Sequence, residues 1–163
     1  MAIREIVTKG EPILRKKCRP VDAITDRVEI LLDDMRDTLI DSGGVGLAAP
    51  QVGIMRRIVV IDTGEEIIEM INPEVTFKEG EQSGLEGCLS IPGRWGIVTR
   101  PAHVKAKYQN RKGEWCEIDA TELIARAVCH ECDHLEGKLY TDIAERMLTE
   151  DEIKQLDRKE GDS

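Results

Sequence analysis

The chain has 163 residues, of which 40% are hydrophobic, 34% charged and 3% aromatic, and its formal net charge is −9. This length suits one well-buried core and is too short for two comfortable domains, so we expect a single domain over residues 1–163. The acidic balance argues against broad attraction to nucleic acid or anionic membranes, because that attraction needs clustered lysine and arginine. We therefore expect no membrane partner and no direct, specific binding of nucleic acid.

The N-terminus and the cysteines bear on the cellular compartment. The opening residues, MAIREIVTKGEP, lack the apolar segment and cleavage site of a secretory signal, and no apolar run is long enough to span a bilayer. The five cysteines are an odd number scattered through the chain, which argues against a disulfide framework. We expect a cytoplasmic protein in which each cysteine is either a buried thiol or a metal ligand.

The first half of the chain predicts helices followed by strands. A helical turn is predicted over 12–17, and an amphipathic helix over Asp26–Ser42, where apolar residues recur at helical spacing until the sequence SGG ends it. Six strands are predicted next, and the last two flank the sequence RKG like a hairpin. Their ranges are 57–62, 67–77, 83–90, 96–99, 103–110 and 114–120.

Two further helices complete the prediction. A helix over 121–136 carries most of the sequence CHECDHLEGKLY, and Gly137 can supply its left-handed C-terminal stop. A short polar helix over 149–159 begins with the capping-box pair Thr149 and Glu152. Because helices and strands are segregated along the chain, we predict an α+β fold with mainly antiparallel sheets packed around a central helix that carries HExxH.

The HExxH sequence has the geometry of a metal site. On a helix, His130 and His134 lie about 40° apart and can bind a single ion. Glu131 lies about 80° from the middle of that pair, where it can reach the rim of a site without having to coordinate, as a general base does. HExxH also occurs by chance on ordinary helices, so a helix without a metal stays open at this point.

Two cysteines on the same helix offer a competing pair of ligands. Cys129-x-x-Cys132 has the spacing of half a structural zinc site. The two sulfurs centre about 150° from the two imidazoles, so one ion cannot collect all four. A structural site would need two more ligands at short spacing, and the other cysteines stand alone. We predict that Cys129 and Cys132 are small buried residues on the core-facing side of the helix.

Two other stretches supply candidates for the rest of a catalytic site, which needs a third protein ligand and a position for water. Cys88 lies in the strand-like EGCLSIP over 86–92, although a free cysteine in a strand is usually just a small core residue. GVGLAAPQ over 44–51 has glycines that permit close backbone approach, and it ends on Gln51, an amide donor. Taken alone, that stretch is also explained by a tight turn entering a strand.

Together, and in this order, the three stretches resemble the peptide deformylase family. They contain G-x-G-L-A-A-x-Q, E-G-C-L-S and H-E-x-D-H, and the resemblance extends to MINPEV at 70–75 and LYTDI at 139–143. It implies a single catalytic domain over 1–163, with Cys88, His130 and His134 as metal ligands and water in the fourth position. It also implies ferrous iron as the native metal, with zinc, nickel or cobalt able to occupy the site.

The resemblance further implies a reaction, the removal of the N-terminal formyl group from formyl-methionyl nascent polypeptides with release of formate. Metal-bound water attacks the formyl carbon, and Glu131 serves as general acid/base. The side-chain amide of Gln51 and the backbone N–H of Leu89 donate hydrogen bonds to the developing oxyanion.

Substrate binding is predicted along the glycine-rich edges, which can pair with an extended peptide in β fashion. An apolar pocket is predicted for the first side chain, although plain core packing stays open for its two helical residues. The predicted backbone-binding residues are Gly44, Val45, Gly46 and Gly87, and the pocket walls are Val45, Leu123 and Ala127.

Three other classes of protein remain as alternatives. A general HExxH metalloprotease would not account for EGCLS or GVGLAAPQ, and the intact Glu131 and Gln51 argue against a deformylase-like binding module. A structural zinc protein would depend on Cys129 and Cys132. Family members commonly carry Gln immediately before HExxH, so Cys129 removes an amide close to the metal. Some members contact the ribosome through a basic C-terminal helix, whereas this tail leans acidic, which predicts at most a transient ribosome contact.

Overall fold

The structure, a computed structural model, describes the backbone of residues 2–161 and the side chains of residues 2–156. Its helices are α1 (Asp26–Ser42), α2 (Glu122–Leu135) and α3 (Glu150–Gly161). Its strands are β1 (Gly46–Ala48), β2 (Ile58–Asp62), β3 (Ile67–Glu79), β4 (Gln82–Cys88), β5 (Ile91–Arg100), β6 (His103–Gln109), β7 (Trp115–Thr121) and β8 (Arg146–Met147). Short 3-10 helices cover Pro12–Arg15, Ala49–Val52 and Tyr140–Asp142. Within the described residues, no helix is both long and apolar enough to cross a membrane.

The strands form two antiparallel sheets. The larger has the order β1-β2-β3-β6-β7 and the smaller has the order β4-β5-β8. The predicted hairpin is β6 and β7, which pair from His103 opposite Thr121 to Gln109 opposite Trp115. The predicted α+β class with antiparallel sheets is therefore confirmed.

The strand prediction differs from the structure at three places. The strands β1 and β8 were not predicted, because runs of three and two residues are too short to show alternation. Strand β5 begins at Ile91, well before the predicted start at residue 96. Pro92 and Gly93 are residues typical of loops, and Gly93 has a left-handed φ of 74° inside the strand.

Strand β2 is buried on both faces and separates the two main helices. Val59 and Ile61 pack in a cluster that includes Ala125 and Val128 of α2. Ile58 and Val60 point the other way, because side chains alternate along a strand, and they pack with the apolar stripe of α1. That stripe consists of Leu31, Leu32, Met35 and Leu39. The continuous apolar run of β2 is the pattern expected for a strand covered on both sides.

The cysteine pair of α2 faces the core, as predicted. Cys129 is buried, and Cys132 is partly buried against the same cluster that contains Val59. All five cysteines are free thiols, in agreement with the prediction that the chain has no disulfide framework.

Glycine sets the end of α2. Gly137 has a left-handed φ of 75°, and a Cβ atom there would lie 2.5 Å from the carbonyl oxygen of Arg15. Only glycine therefore lets the 3-10 helix Pro12–Arg15 pack beneath the helix end, where the Cys18 N–H also donates to the Leu135 carbonyl at 2.8 Å.

The predicted capping box begins the last helix. The N–H of Glu152 donates to Oγ1 of Thr149 at 3.2 Å, and the N–H of Thr149 donates to the Glu152 carboxylate at 3.1 Å. Two N–H groups that the first helical turn leaves unpaired are thereby satisfied, and the prediction is confirmed.

Candidate metal centre and cleft

The three side chains predicted as metal ligands meet at one point. Cys88 is the last residue of β4, while His130 and His134 lie one turn apart on α2. Nε2 of His134 lies 3.3 Å from Sγ of Cys88 and 3.2 Å from Nε2 of His130. All three ligand atoms lie within 4.8 Å of one another, a spacing at which they can share one ion.

The electrostatics of this cluster favour a cation. Burial and the neighbouring His130 lower the pKa of His134 to about 3, so its imidazole is neutral and able to coordinate. Burial also opposes charge on His130, but the Glu131 carboxylate and the contacts with Cys88 and Glu86 outweigh it and raise the pKa of His130 to about 10. The two shifts are opposite because imidazoles 3.2 Å apart do not both carry charge. A thiolate and two imidazoles that attract one positive charge fit a divalent transition metal.

Glu86 fixes the orientation of His130. Nδ1 of His130 donates a hydrogen bond of 2.9 Å to Oε2 of Glu86, which keeps one proton on Nδ1 and leaves Nε2 as the ring atom at which a metal would replace the second proton. Burial alone would raise the pKa of Glu86, but hydrogen bonds from His130 and Arg100 lower it to about 2. Glu86 is therefore an ionised carboxylate in a buried position.

Two buried arginines hold Glu86 in place. Arg100 donates to its two carboxylate oxygens at 2.7 and 3.2 Å and also to Asp133 of α2 at 2.6 Å. Arg126 donates to Oε1 of Glu86 at 3.2 Å and to the carbonyl of Val98 at 3.1 Å. These bonds tie α2 to β4 and β5 across the metal centre.

Neither Arg126 nor the role of Glu86 was predicted from the sequence. Arg126 lies four residues before His130, a spacing that places both on one face of α2, and this was the available signal. The contacts of Glu86 with Arg126 and His130 of α2 join residues that are 40 and 44 positions apart, so no pattern of neighbouring residues predicts them.

Gln51 lies beside Cys88 and is almost completely buried. Its Oε1 accepts from the N–H of Ala48 at 2.9 Å, which orients the amide. Its Nε2 then donates to Oγ of Ser90 at 3.1 Å and faces Sγ of Cys88 at 3.7 Å. Ser90, which follows Cys88 by two residues and is also buried, was not among the predicted site residues.

Glu131 packs against the backbone of β1. A Cβ atom at Gly46 would lie 2.7 Å from Oε2 of Glu131, so the strand approaches the carboxylate more closely than any other residue would allow. Within the described residues, Oε1 of Glu131 and Nδ1 of His134 are buried without a hydrogen-bond partner. Burial raises the pKa of Glu131 to about 7, which suits a group that both accepts and gives up a proton.

A cleft of about 450 Å³ opens over this arrangement. All of the predicted substrate-binding residues line it, together with Gln51, Leu89 and Glu131. Leu123 is 57% exposed at the cleft, which rules out the alternative of core packing for this residue, whereas Ala127 both lines the cleft and belongs to the core. The cleft-lining residues that were predicted to bind substrate are Gly44, Val45, Gly46, Gly87, Leu123 and Ala127.

Two sheet edges contribute to the cleft. β1 and β4 are edge strands of their respective sheets, and Gly46 and Gly87 of these strands both line the cleft. The indole of Trp95 covers Gly87, where a Cβ atom would lie 2.8 Å from the ring. The cleft therefore has backbone edges on both sides and apolar surface beside them.

Comparison with known proteins identifies the family. A family model described as polypeptide deformylase matches residues 3–150. The chain belongs to the peptide deformylase family. The peptide deformylase of Alkaliphilus metalliredigens is 57% identical over 142 residues, which are 87% of this chain and 97% of the relative. That of Caldicellulosiruptor bescii is 50% identical over 162 residues, which are 99% and 97%.

Solved peptide deformylase structures have the same fold. The crystal structure from Legionella pneumophila has a TM-score of 0.86 at 36% identity and covers 99% of both chains. The structure of the Synechococcus elongatus peptide deformylase in complex with actinonin has a TM-score of 0.85 at 34% identity, covering 97% of this chain and 86% of the other.

Membership of the peptide deformylase family decides between the alternatives. The chain is a metal-dependent hydrolase that removes N-terminal formyl groups from polypeptides, and not a general protease or a binding module. Across the residues that the structure describes, Cys88, His130 and His134 are the one group of three or more His, Cys, Asp or Glu side chains that converges in this way. Among the described residues, Cys129 and Cys132 are not joined by a third ligand of these types.

Proposed function

We propose that this peptide deformylase releases formate from formyl-methionyl nascent polypeptides in the cleft above Cys88, His130 and His134, with Glu131 as general acid/base. The observation that carries the assignment is the position of Glu131. Its carboxyl group is buried, follows His130 directly in the chain, lines the cleft and has one oxygen without a partner among the described residues.

The residues that would hold the metal are Cys88, His130 and His134. We propose ferrous iron as the native ion, with zinc, nickel or cobalt able to replace it, because one thiolate and two imidazoles suit all four ions. A bound divalent ion supplies Lewis acidity, which polarises the formyl carbonyl and makes water more acidic. Glu86 keeps the proton of His130 on Nδ1, which leaves Nε2 free to coordinate.

The proton transfers belong to Glu131. Its carboxylate takes a proton from the attacking water and delivers it to the nitrogen of the leaving amine, so that the same group acts first as base and then as acid. Gly46 leaves the space that this carboxylate occupies, because a Cβ atom there would lie 2.7 Å from Oε2.

Two donors are proposed to stabilise the oxyanion that forms at the formyl oxygen. The Gln51 amide is held by the N–H of Ala48, which turns Nε2 toward Cys88. The backbone N–H of Leu89 follows the cysteine directly in the chain. Loss of one such donor typically costs on the order of a hundredfold in rate.

The edge strands are proposed to hold the peptide backbone. Extended substrate would lie between β1 and β4, pairing main chain to main chain near Gly44, Gly46 and Gly87. Such pairing makes few demands on downstream side chains. Val45, Leu123 and Ala127 offer an apolar wall for the methionine side chain.

The same proposal covers the number of domains, the cellular compartment and contact with the ribosome. Residues 1–163 would form one catalytic domain that acts in the cytoplasm on chains emerging from synthesis, with ribosome contact no more than transient. The acidic net charge of −9 supports weak rather than tight attraction to ribosomal RNA.

The test is formate release from formyl-Met-Ala-Ser by protein loaded with iron or nickel without air. Glu131→Ala is expected to abolish release while the bound metal, measured by elemental analysis, stays at the wild-type level. Glu74→Ala, a change of the same kind at an exposed carboxylate that pairs with Lys107, is the matched control and should retain activity. Metallated wild-type protein without formate release would overturn the proposal.

A further inference from the structure

A second concavity, which we call the arginine groove, lies beside the first turns of α1. It is formed by most of the residues between 19 and 31, though not by Ile24, Asp26 or Glu29, and by Arg4 and, just before β2, Ile54 and Arg56. Its volume is about 730 Å³, and it shares no lining residue with the cleft above the metal centre. Binding in the arginine groove would thus leave the cleft free for substrate.

The charge of the arginine groove is opposite to that of the whole chain. Arg4, Arg19, Arg27 and Arg56 line it against a single carboxylate, Asp22, although the protein carries a net charge of −9. Arg4 is held by Asp34, 2.9 Å away. Within the described residues, the side chains of the other three arginines make no ion pair or hydrogen bond, whereas most arginines elsewhere are paired with carboxylates.

Two of these unpaired arginines are held next to each other by the backbone. Arg19 and Arg56 form an isolated parallel β-bridge, and the segment is fixed by hydrogen bonds from Arg19 N to Met55 O at 3.4 Å and from Arg57 N to Arg19 O at 3.0 Å. Residues opposite each other in such a pair project to the same side, and like charges in that arrangement repel. An anion placed between the two guanidinium groups would convert this repulsion into attraction.

Arg27 adds a third cation in an unfavourable place. It is the second residue of α1, where the positive end of the helix dipole disfavours a positive side chain. Three arginines therefore occupy positions that cost stability in the free protein and that a negatively charged ligand would improve. All three are exposed, so a ligand can reach them.

The floor of the arginine groove is apolar. Val21 and Leu31 are buried beneath it, Val28 and Ile54 are partly buried, and Ile30 is 53% exposed at its rim. A ligand that matches both features must carry negative groups around an apolar group. Inorganic phosphate lacks the apolar group.

We infer that the arginine groove docks a short acidic peptide segment of a partner protein, in which Asp or Glu residues flank an apolar side chain. Carboxylates would bind the guanidinium groups of Arg19, Arg27 and Arg56 in the bidentate manner that favours arginine at interfaces. Single-stranded RNA fits less well, because no aromatic side chain lines the groove for base stacking and the acidic surface around it repels a long polyanion.

The test uses fluorescence anisotropy with the full chain and a fluorescein-labelled peptide of repeated Glu-Glu-Leu triplets. We expect a Kd on the order of 10–100 μM that weakens as salt is raised. Replacing each Leu of the peptide by Ser should weaken binding, because the apolar floor then loses its partner.

The decisive variant combines Arg19→Glu with Arg56→Glu, and it should weaken binding about tenfold or more, as loss of interfacial charge pairs does. The matched control combines Lys9→Glu with Lys112→Glu, which changes the net charge equally at exposed residues outside the groove. Formate release equal to that of the wild type shows that each variant is folded. If the variant that combines Arg19→Glu with Arg56→Glu does not fold, the combination of Arg19→Gln with Arg56→Gln takes its place.

Three outcomes would overturn the inference. They are no binding by the wild type, equal loss in the arginine variant and the lysine control, and tighter binding of labelled oligouridylate that the same arginine variant abolishes. The last outcome would assign the groove to nucleic-acid phosphates instead of an acidic peptide.

Discussion

The carboxylate of Glu131 occupies the space that a side chain at Gly46 would need, since a Cβ atom at that glycine would lie 2.7 Å from Oε2. Gly46→Ala should therefore displace Glu131 and lower kcat by at least about tenfold, because small misplacement of a catalytic group is costly. Metal content should not change. The measurement is the rate of formate release alongside elemental analysis.

Gly44→Ala is the comparison for that change, with kcat taken at saturating substrate so that weaker peptide binding at Gly44 shows in KM instead. A Cβ atom there would meet only the flexible end of the Leu89 side chain, at 2.9 Å, which can move aside. If Gly44→Ala reduced kcat as much as Gly46→Ala, close packing against Glu131 would not be the reason for the effect.

A second prediction concerns the carboxylate behind His130. Glu86→Gln should lower metal affinity by about 10–100-fold, because the histidine loses the charged partner that orients it. It should also destabilise the protein by about 3–5 kcal/mol, since Arg100 and Arg126 lose their buried counter-ion. Chelator titration measures the first effect and urea unfolding the second. Wild-type metal retention in Glu86→Gln would contradict the assigned role.

Arg126 provides a separate test of the same network. Arg126→Met keeps much of the apolar stem but removes the bonds to Glu86 and to the Val98 carbonyl. We expect a loss of about 1–3 kcal/mol in the free energy of unfolding and a smaller loss of metal affinity than in Glu86→Gln, because Arg100 still holds the carboxylate. A metal affinity lower than that of Glu86→Gln would show that Arg126 acts by another route.

The contact between the N-terminal segment and the end of α2 predicts a conformational cost at Gly137. Gly137→Ala combines a left-handed φ of 75° with a clash against the Arg15 carbonyl. Gly43→Ala, at the end of α1, has a similar φ of 71° but open space around the new methyl group. Gly43→Ala should cost about 1–2 kcal/mol from backbone strain alone, and Gly137→Ala clearly more. Equal melting temperatures for the two variants would rule out the clash.

The ion pair between Arg15 and Asp142 predicts how stability responds to acid. A hydrogen bond from Arg15 lowers the pKa of Asp142 below its ordinary value near 3.8. A carboxyl group with a lowered pKa in the folded state stabilises the protein above its unfolded pKa and loses that contribution as the pH falls through the folded value. The melting temperature of Asp142→Asn should thus lie below that of the wild type at neutral pH, with the gap closing below about pH 4. A gap that stays constant down to pH 2 would contradict this pairing.

Local signals in the sequence predicted the elements that depend on local physics. The bounds of α1 were predicted correctly because Thr25 caps one end, Gly43 ends the other, and the apolar stripe between them is regular. β1 was not predicted, because its three residues acquire their strand conformation only by pairing with β2. The ligands and Glu131 were predicted as site residues through the spacing on α2 and through the family resemblance. The contact of Arg126 with Glu86, which in turn orients His130, could not be predicted, because it joins residues that are distant in the sequence.

The docking of the chain's beginning beneath α2 has a consequence for the order of events during biosynthesis. The two histidines lie on α2, whose last turn is held by the segment around Arg15 and Cys18, while Cys88 lies at the end of β4 in the smaller sheet. The N-terminal segment, the strand that carries Cys88 and the helix that carries the two histidines must all be present before the three side chains can converge as they do here. Metal uptake therefore follows the synthesis and docking of α2, which makes it a late event in maturation.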